Sequence, residues 1–431
     1  MAGNKSELRP SNTRRRNFWI YWTGQTISNL GSSVTTFALP LLVYKLTGSA
    51  LNLSITTATT FIPYLLFGLL LGSLMDRVDR RKAMILADLA RALIVASLPL
   101  VALVGHLPIW WIYVVSFLQS TLKIFFDAGE FAALPSLVSQ DDLVTANGRI
   151  QASYNAASIA GPLLAGLLVV FIPFTQLLLI DAASFLVSAA TLALVMASFN
   201  TSEAEAERKS IFHDALEGLK YVVRHPVLRN ISIMMALFNF FGASYGAELV
   251  LFAKERLSAT DAQFGLLNSA GSIGVVLLSL LAGPLRKRWS FSRVALGALM
   301  LDGVMVVLFA WNRWYWAAVV LEGVSMGLGI LFNINTSSLR QAIVPNNMLA
   351  RVMSIAGVLA WSAIPLGAIL GGLAITWTHN VALVFGVIGV MYILIPFGFS
   401  FTPLGRAEQY LPKKEPAIAM NSQTAMEPLN P

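Results

Sequence analysis

The chain has 431 residues, of which 56% are apolar and 12% charged, with a net charge of +8 and no cysteine. A soluble domain carries about 25% charged residues, so in water this chain would leave very large apolar areas uncovered. The same figures exclude disorder and a fibrous repeat, and the missing cysteines exclude disulfides, thiolate metal sites and cysteine nucleophiles. What remains is a polytopic membrane protein, which the helix-length apolar runs that follow make all-α.

Arg14, Arg15 and Arg16 precede an apolar run from Phe18 to about Tyr44. It starts like a signal peptide but has no small-residue cleavage site, so it reads as a retained first span. A crossing needs ~20 mainly apolar residues, and twelve runs qualify. The first six are 18–44, 49–75, 83–105, 109–138, 143–172 and 174–197; the second six are 227–253, 260–284, 291–311, 314–339, 348–376 and 381–402. The expected organisation is a cytoplasmic N-terminal tail (1–17), a six-helix bundle (18–197), a cytoplasmic linker (198–226), a second six-helix bundle (227–404) and a disordered cytoplasmic tail (405–431). In the linker, Ile211, Phe212, Ala215, Leu216, Leu219, Tyr221 and Val222 alternate with His213, Asp214, Glu217 and Lys220 at helical spacing, as in an amphipathic helix lying on the membrane.

Basic residues orient the bundle. With the N-terminus inside, 24 of the 30 Lys and Arg fall in cytoplasmic segments and four (Lys45, Lys254, Arg256 and Arg313) in outer loops. Arg91 and Lys123 fall within spans. This asymmetry places both termini in the cytoplasm of a multi-pass cell (plasma or inner) membrane protein and accounts for the positive charge without nucleic acid.

The halves resemble each other. Leu46-Thr47-Gly48-Ser49-Ala50 aligns with Leu257-Ser258-Ala259-Thr260-Asp261 at an offset of 211, and Leu134 through Leu143 aligns with Leu339 through Met348 at 205. Paired six-helix halves imply a transporter with a site between them at the midplane. Gly72-Ser73-Leu74-Met75-Asp76-Arg77-Val78-Asp79-Arg80-Arg81-Lys82 resembles the helix 2–3 loop of the major facilitator superfamily, whose pattern is G-x-L-A-D-R-x-G-R-[KR]-[KR]; Met75 and Asp79 depart from its Ala and Gly. The second-half copy is degenerate, with Lys287 where Asp76 stands in the first. As a gating motif, Gly72, Asp76, Arg77, Arg80 and Arg81 would form a latch. Asp76 would accept N–H bonds from the start of span 11, around 346–349, where the helix dipole favours an anion, and Arg80 would reach an acid on span 4.

Further stretches narrow the resemblance: Gly24-Gln25, Ala87-Asp88-Leu89-Ala90-Arg91-Ala92, Ala133 through Val138, Ala146-Asn147, Gly161-Pro162-Leu163-Leu164-Ala165-Gly166 and Glu217 through Tyr221. Together they resemble the drug:proton antiporter branch of macrolide-efflux and enterobactin-exporter type. Gly161, Pro162 and Gly166 are similar to its antiporter motif, although Ser153 replaces the glycine expected eight residues earlier; generic helix packing is the alternative reading. The resemblance implies that spans 1, 4, 7 and 10 line the cavity.

Ionisable groups at bilayer depth are functional suspects. Lys123, Asp127 and Glu130 share one face of span 4. Asp127 or Glu130 is a proton-coupling candidate, the alternative being that Lys123 simply neutralises Asp127 while Glu130 meets the Arg80 region. Span 10 carries Glu322, Ser325, Gly329, Asn333, Thr336 and Arg340 on a narrow face, and span 1 carries Gln25, Asn29, Ser32 and Thr36. Such stripes fit a water-accessible cavity, and Glu322 is the third proton-coupling candidate. Gln25, Asn29, Lys123, Phe126, Phe238 and Asn333 are the substrate-cavity candidates. Asp181 and Asp302 are expected as packing partners, Asp88 and Arg91 as a pair, and Glu248, near the outer end of span 7, at the membrane–water interface.

The function expected is secondary export of an amphiphilic molecule, drug-like or siderophore-like, by proton antiport with alternating access. The proton gradient would be the energy source, and no cofactor or metal is expected. The partners are substrate, protons and lipid, with the chain acting as a monomer. A facilitator or a lipid or metabolite transporter on the same fold, or a non-transporting sensor, are the alternatives. There is no phosphate-binding G-x-x-x-x-G-K-[ST] loop and the four histidines are scattered, which argues against an enzyme or direct use of ATP.

Overall fold

The computed structural model describes residues 11–75, 77–139, 142–197, 199 and 211–410. In lipid a backbone must satisfy its own N–H and C=O groups, which leaves apolar stretches the α-helix. The first half holds α1 (Ser11–Thr47), α2 (Ala50–Met75), α3 (Arg80–Val104), α4 (Ile109–Leu137), α5 (Leu143–Leu168) and α6 (Phe174–Leu194). Then come α7 (Ile211–Arg224) in the linker, α8 (Pro226–Glu255), α9 (Asp261–Ser279), a short α10 (Ala282–Arg288), α11 (Phe291–Trp311) and α12 (Tyr315–Ile343). They are followed by α13 (Asn346–Trp361), α14 (Ile364–Thr378) and α15 (Val381–Ser400). Among the described residues eleven helical stretches are long and apolar enough to cross a membrane, with α13 and α14 running as one. The expected span not among them is α5, whose first half is polar, with Asn147, Arg149, Gln151, Ser153 and Asn155.

Successive long helices alternate in direction, so one face of the bundle carries the start of α1 and the end of α15, here the terminal face; the opposite one is the distal face. At the distal face the loop after the first helix of each half contains a left-handed residue, Gly48 directly after α1 at φ 57° and Ser258 three residues after α8 at φ 51°. The alignment by 211 puts Ala259 opposite Gly48; the backbone puts Ser258 there, one residue earlier. A left-handed conformation costs a non-glycine residue about 1–2 kcal/mol, so the turn is cheaper in the first half.

Local chemistry sets several boundaries. Asp79, the departure from the loop pattern, N-caps α3 by accepting from the Lys82 N–H at 3.1 Å. Thr260 and Gln263 form a reciprocal capping box on α9, at 3.2 and 2.8 Å. Between α13 and α14 the ladder is interrupted at Pro365, which has no N–H to give, and Asn239 Nδ2 of α8 donates to the Ala360 carbonyl at 2.9 Å. The stretch Pro403–Tyr410 is a 3-10 segment with Leu404 and Ala407 buried, so order continues past residue 405, where a disordered tail was expected. Packing explains this: Leu404 and Ala407 join the core that holds Val227, Phe291 and Leu339. The rest of that tail, 411–431, lies outside the described residues. The linker helix α7 seats on the second half, with Val222 packed among Leu228, Val344 and Val352 and Arg351 Nη1 donating to Glu217 Oε2 at 2.8 Å.

The cores show how the halves meet. Towards the distal face one apolar cluster runs through both halves, from Phe37, Leu41 and Leu98 to Phe252, Phe264 and Phe385. Towards the terminal face the clusters divide. Tyr21, Met84, Phe126, Leu137 and Phe199 pack within the first half, and Val227, Phe291, Leu299 and Leu339 within the second.

Candidate functional site

The distal seam is built from small residues and hydroxyls. A Cβ on Gly265 of α9 would lie 2.5 Å from the Pro162 carbonyl and 3.2 Å from Gly166 Cα of α5, so these helices touch backbone to backbone. Ser269 and Ser272 of α9 donate to the Ile159 and Ser158 carbonyls at 2.9 and 3.0 Å. The α5 motif therefore lies on the seam: Pro162 and Gly166 face the other half, and Gly161 abuts Ser33 of α1. Phe37 stacks on Phe264 across the seam, with ring centroids 5.4 Å apart. At its edge Asp261 binds Lys45 of the first half at 2.8 Å and Lys254 of its own at 2.5 Å.

On α4 the i, i+4, i+7 spacing brings charge together as expected. Lys123 Nζ lies 2.9 and 2.7 Å from the two oxygens of Asp127, and both side chains are 43% exposed. One turn on, Glu130 Oε1 accepts from the hydroxyl of buried Tyr21 at 2.9 Å and lies within electrostatic reach of Asp127 and Lys123. Tyr64, within electrostatic reach of Lys123 and Asp127, lines a cavity of about 250 Å³ together with Ile124 of the first half and Met353 and Trp361 of the second; the three charged side chains are not part of its lining. Tyr64 and Trp361 meet edge to face across it, 5.2 Å between centroids. The ion pair and the second carboxyl can exchange a proton with water, and the nearby cavity offers a small, mainly apolar and aromatic surface.

Other candidates sit elsewhere. Phe126 is buried in the first-half core with Tyr21 and Met84, because it lies at the edge of the α4 face that packs against α1 and α3. Gln25 is buried too, its amide donating to Ser188 of α6 at 2.9 Å, and Ser32 donates to Asp181 at 3.2 Å; in this conformation much of the α1 stripe serves helix packing. So does most of the α12 stripe. Glu322 is buried and accepts from the Tyr245 hydroxyl of α8, Ser325 donates to Asp302 of α11, and Arg340 reaches Met235 Sδ at 3.2 Å. Of that stripe Asn333 is exposed. Asn29 is half-buried, and Phe238, also half-buried, stacks on Tyr392 at 3.6 Å. Asp88 and Arg91 pair at 3.6 Å, with the guanidinium 3.9 Å over the Phe185 ring.

In the loop motif Arg81 donates to the Leu192 carbonyl at 2.9 Å and to the Ala193 carbonyl, and Arg80 to the Phe199 carbonyl at 3.1 Å. Arg81 thus caps the C-terminus of α6, where free carbonyls and the dipole favour a cation. Arg77 is exposed, Gly72 lies in the last turn of α2, and Asp76 lies outside the described residues, and with it the latch. Sequence reasoning missed Tyr21 and Tyr245 as the donors to the two glutamates, since a tyrosine in an apolar span gives no sign of its partner.

A helical membrane bundle in two halves, sealed on one face and holding ionisable groups between helices, has the architecture of a secondary transporter. The chain matches the model of the Major Facilitator Superfamily over residues 21–363 and belongs to that family; it is a multi-pass membrane transporter. It is 25% identical over 366 residues to macrolide efflux protein A of Streptococcus pyogenes, covering 84% of this chain and 90% of that one. It is 26% identical over 377 residues to multidrug efflux pump Tap of Mycolicibacterium fortuitum, with coverage of 84% and 90%. The fold is similar to that of a point mutant of the nucleoside transporter NupG, with a TM-score of 0.74, 13% identity and coverage of 88% and 98%.

Proposed function

We propose that this transporter exports an amphiphilic small molecule in exchange for protons by alternating access. The α4 site carries the reading: an ion pair and a second carboxyl, half-exposed, lie near an aromatic cavity between the halves while the distal seam is packed shut. The basic residues concentrate in the segments of the terminal face, so that face is read as cytoplasmic and the conformation as inward-facing. Substrate would enter from the cytoplasm or inner leaflet and displace protons from Asp127 or Glu130. Protons arriving from outside would then neutralise the carboxylate and lower the charge penalty on the return conformation. Glu322, sealed against Tyr245 here, would take part only if α12 and α8 separate. The efflux names of the relatives make a macrolide the first substrate to try.

Erythromycin flux in proteoliposomes, with and without a pH gradient, tests this. Accumulation should cease when a protonophore collapses the gradient. Net flux that follows the erythromycin gradient alone would make the chain a facilitator, and binding without flux a sensor.

A further inference from the structure

One buried carboxyl has no part in the α4 site. Glu248 of α8 is 0% exposed and lies at the seam between the halves. Its Oε1 accepts from the hydroxyl of Ser54 on α2, in the opposite half, at 2.6 Å. Among the described residues its Oε2 has no hydrogen-bond partner. Around it are surfaces that bring no charge: Ser54 and Ala50 of α2 meet Gly372 of α14, and Ser244, one turn earlier on α8, meets Gly371.

The neighbouring titratable groups are few. The sequence of α14 contains none, that of α2 only Tyr64, and that of α15 only Tyr392. On α8 itself are Tyr245, bound to Glu322, Lys254, bound to Asp261, Glu255, whose negative sign opposes a second anion, and Arg229 at the opposite end; Arg256 caps the helix eight residues beyond Glu248, about 12 Å along the axis. From α1 come Tyr44 and Lys45, the latter also bound to Asp261. The elements α7, α13 and the 3-10 segment meet α8 near the terminal face, where their Glu217, Arg351, Arg406 and Glu408 lie far along the helix. An ionised carboxylate sealed there with one hydroxyl donor and, among the described residues, no cation paired with it would be on the order of several kcal/mol out of balance.

We infer that Glu248 is a proton-binding site of the distal gate: its carboxyl is protonated whenever the seam is shut, and it exchanges that proton with water of the distal face only when α2 and α8 part. Closing the gate then requires taking up one proton from that side. The inference rests on the alternating-access reading for its direction, but its test needs neither substrate nor a gradient.

The chain has no cysteine, so spin labels can be placed on cysteines substituted at Gly105 and Arg313, exposed distal positions in the two halves, with the protein in nanodiscs. Double electron–electron resonance should show the long-distance, open population rising with pH, by up to tenfold in open-to-closed ratio per pH unit for one proton. Glu248→Gln keeps the size and the contact with Ser54, and should hold the gate closed at every pH. Asp261→Asn should leave the pH dependence in place. No pH dependence in the parent, or an undiminished one in Glu248→Gln, overturns the inference. So does opening on acidification, which would assign the gate to loss of the Lys45–Asp261 pair. If the gate obeys Glu248 while erythromycin flux ignores the gradient, the antiport reading fails and this one stands.

Discussion

Adding one methyl group at Gly265 should open the distal seam. The new Cβ would stand 2.5 Å from the Pro162 carbonyl, and ordinary contact begins at 3.4 Å, so α5 and α9 must part by about 0.9 Å there. Both obstacles are backbone, Pro162 O and Gly166 Cα, so no rotamer relieves the clash. Overpacking of this kind costs about 1–3 kcal/mol. Because α5 and α9 belong to different halves, the strain falls on the closed conformation alone and should shift the closed-to-open ratio toward open by about 5- to 150-fold. Gly166→Ala, whose Cβ would meet Ala262 and Gly265 at 3.3 Å, needs a movement of tenths of an ångström and should do the same more weakly. Gly148→Ala, on the same α5 with nothing within 4 Å, should leave the ratio alone and add slightly to helix stability. Distances between spin labels at Gly105 and Arg313 report the ratio. Equal distributions for Gly265→Ala and Gly148→Ala would refute the reasoning.

Three further outcomes follow from the site and its surroundings. Asp127→Asn should abolish proton-driven erythromycin flux with little loss of stability, because a half-exposed ion pair is worth only about 0.2–1 kcal/mol. Lys123→Ala/Asp127→Ala should stay inactive, whereas recovery of flux in that double variant would make the pair a neutralising device. Tyr245→Phe removes the hydroxyl that donates to buried Glu322, so thermal unfolding should show a loss of about 1–3 kcal/mol, much reduced when Glu322→Gln is added; an unchanged melting temperature in the single variant would contradict the contact. Burial pushes the His225 imidazole below its ordinary value, and its Nδ1 accepts from the Leu228 N–H at the start of α8. The stability this lends is complete above pH ~6.5 and declines as pH falls through the lowered folded value. His225→Asn, a cap that does not titrate, should flatten that part of the melting profile between pH 7 and 5.

Much of the architecture was legible because lipid imposes a simple rule: long apolar runs become helices, and the duplicated pattern around Gly48 and Ser258 marks two halves. Contacts along one helix were legible too, since helical spacing alone brings Lys123 to Asp127 and Asp88 to Arg91. Contacts between helices were not. Nothing near Glu322 in sequence announces Tyr245, 77 residues earlier, and nothing near Gln25 announces Ser188. A polar stripe on a span says only that it avoids lipid; whether water or a neighbouring helix satisfies it depends on helix rotation, which apolar periodicity leaves loose. Phe126 illustrates the same limit, its large apolar ring being equally suited to substrate or core. The polar first half of α5 sits in a helix whose other end makes the backbone contact with α9, so its low apolarity and its place at the seam belong together.

The most direct test of proton exchange is to titrate the purified transporter with erythromycin in weakly buffered solution, recording bound macrolide by tryptophan fluorescence and released protons by a pH indicator. The account predicts proton release that saturates with binding and is lost in Asp127→Asn/Glu130→Gln. Saturable binding with no proton released at any pH from 6 to 8 would contradict it.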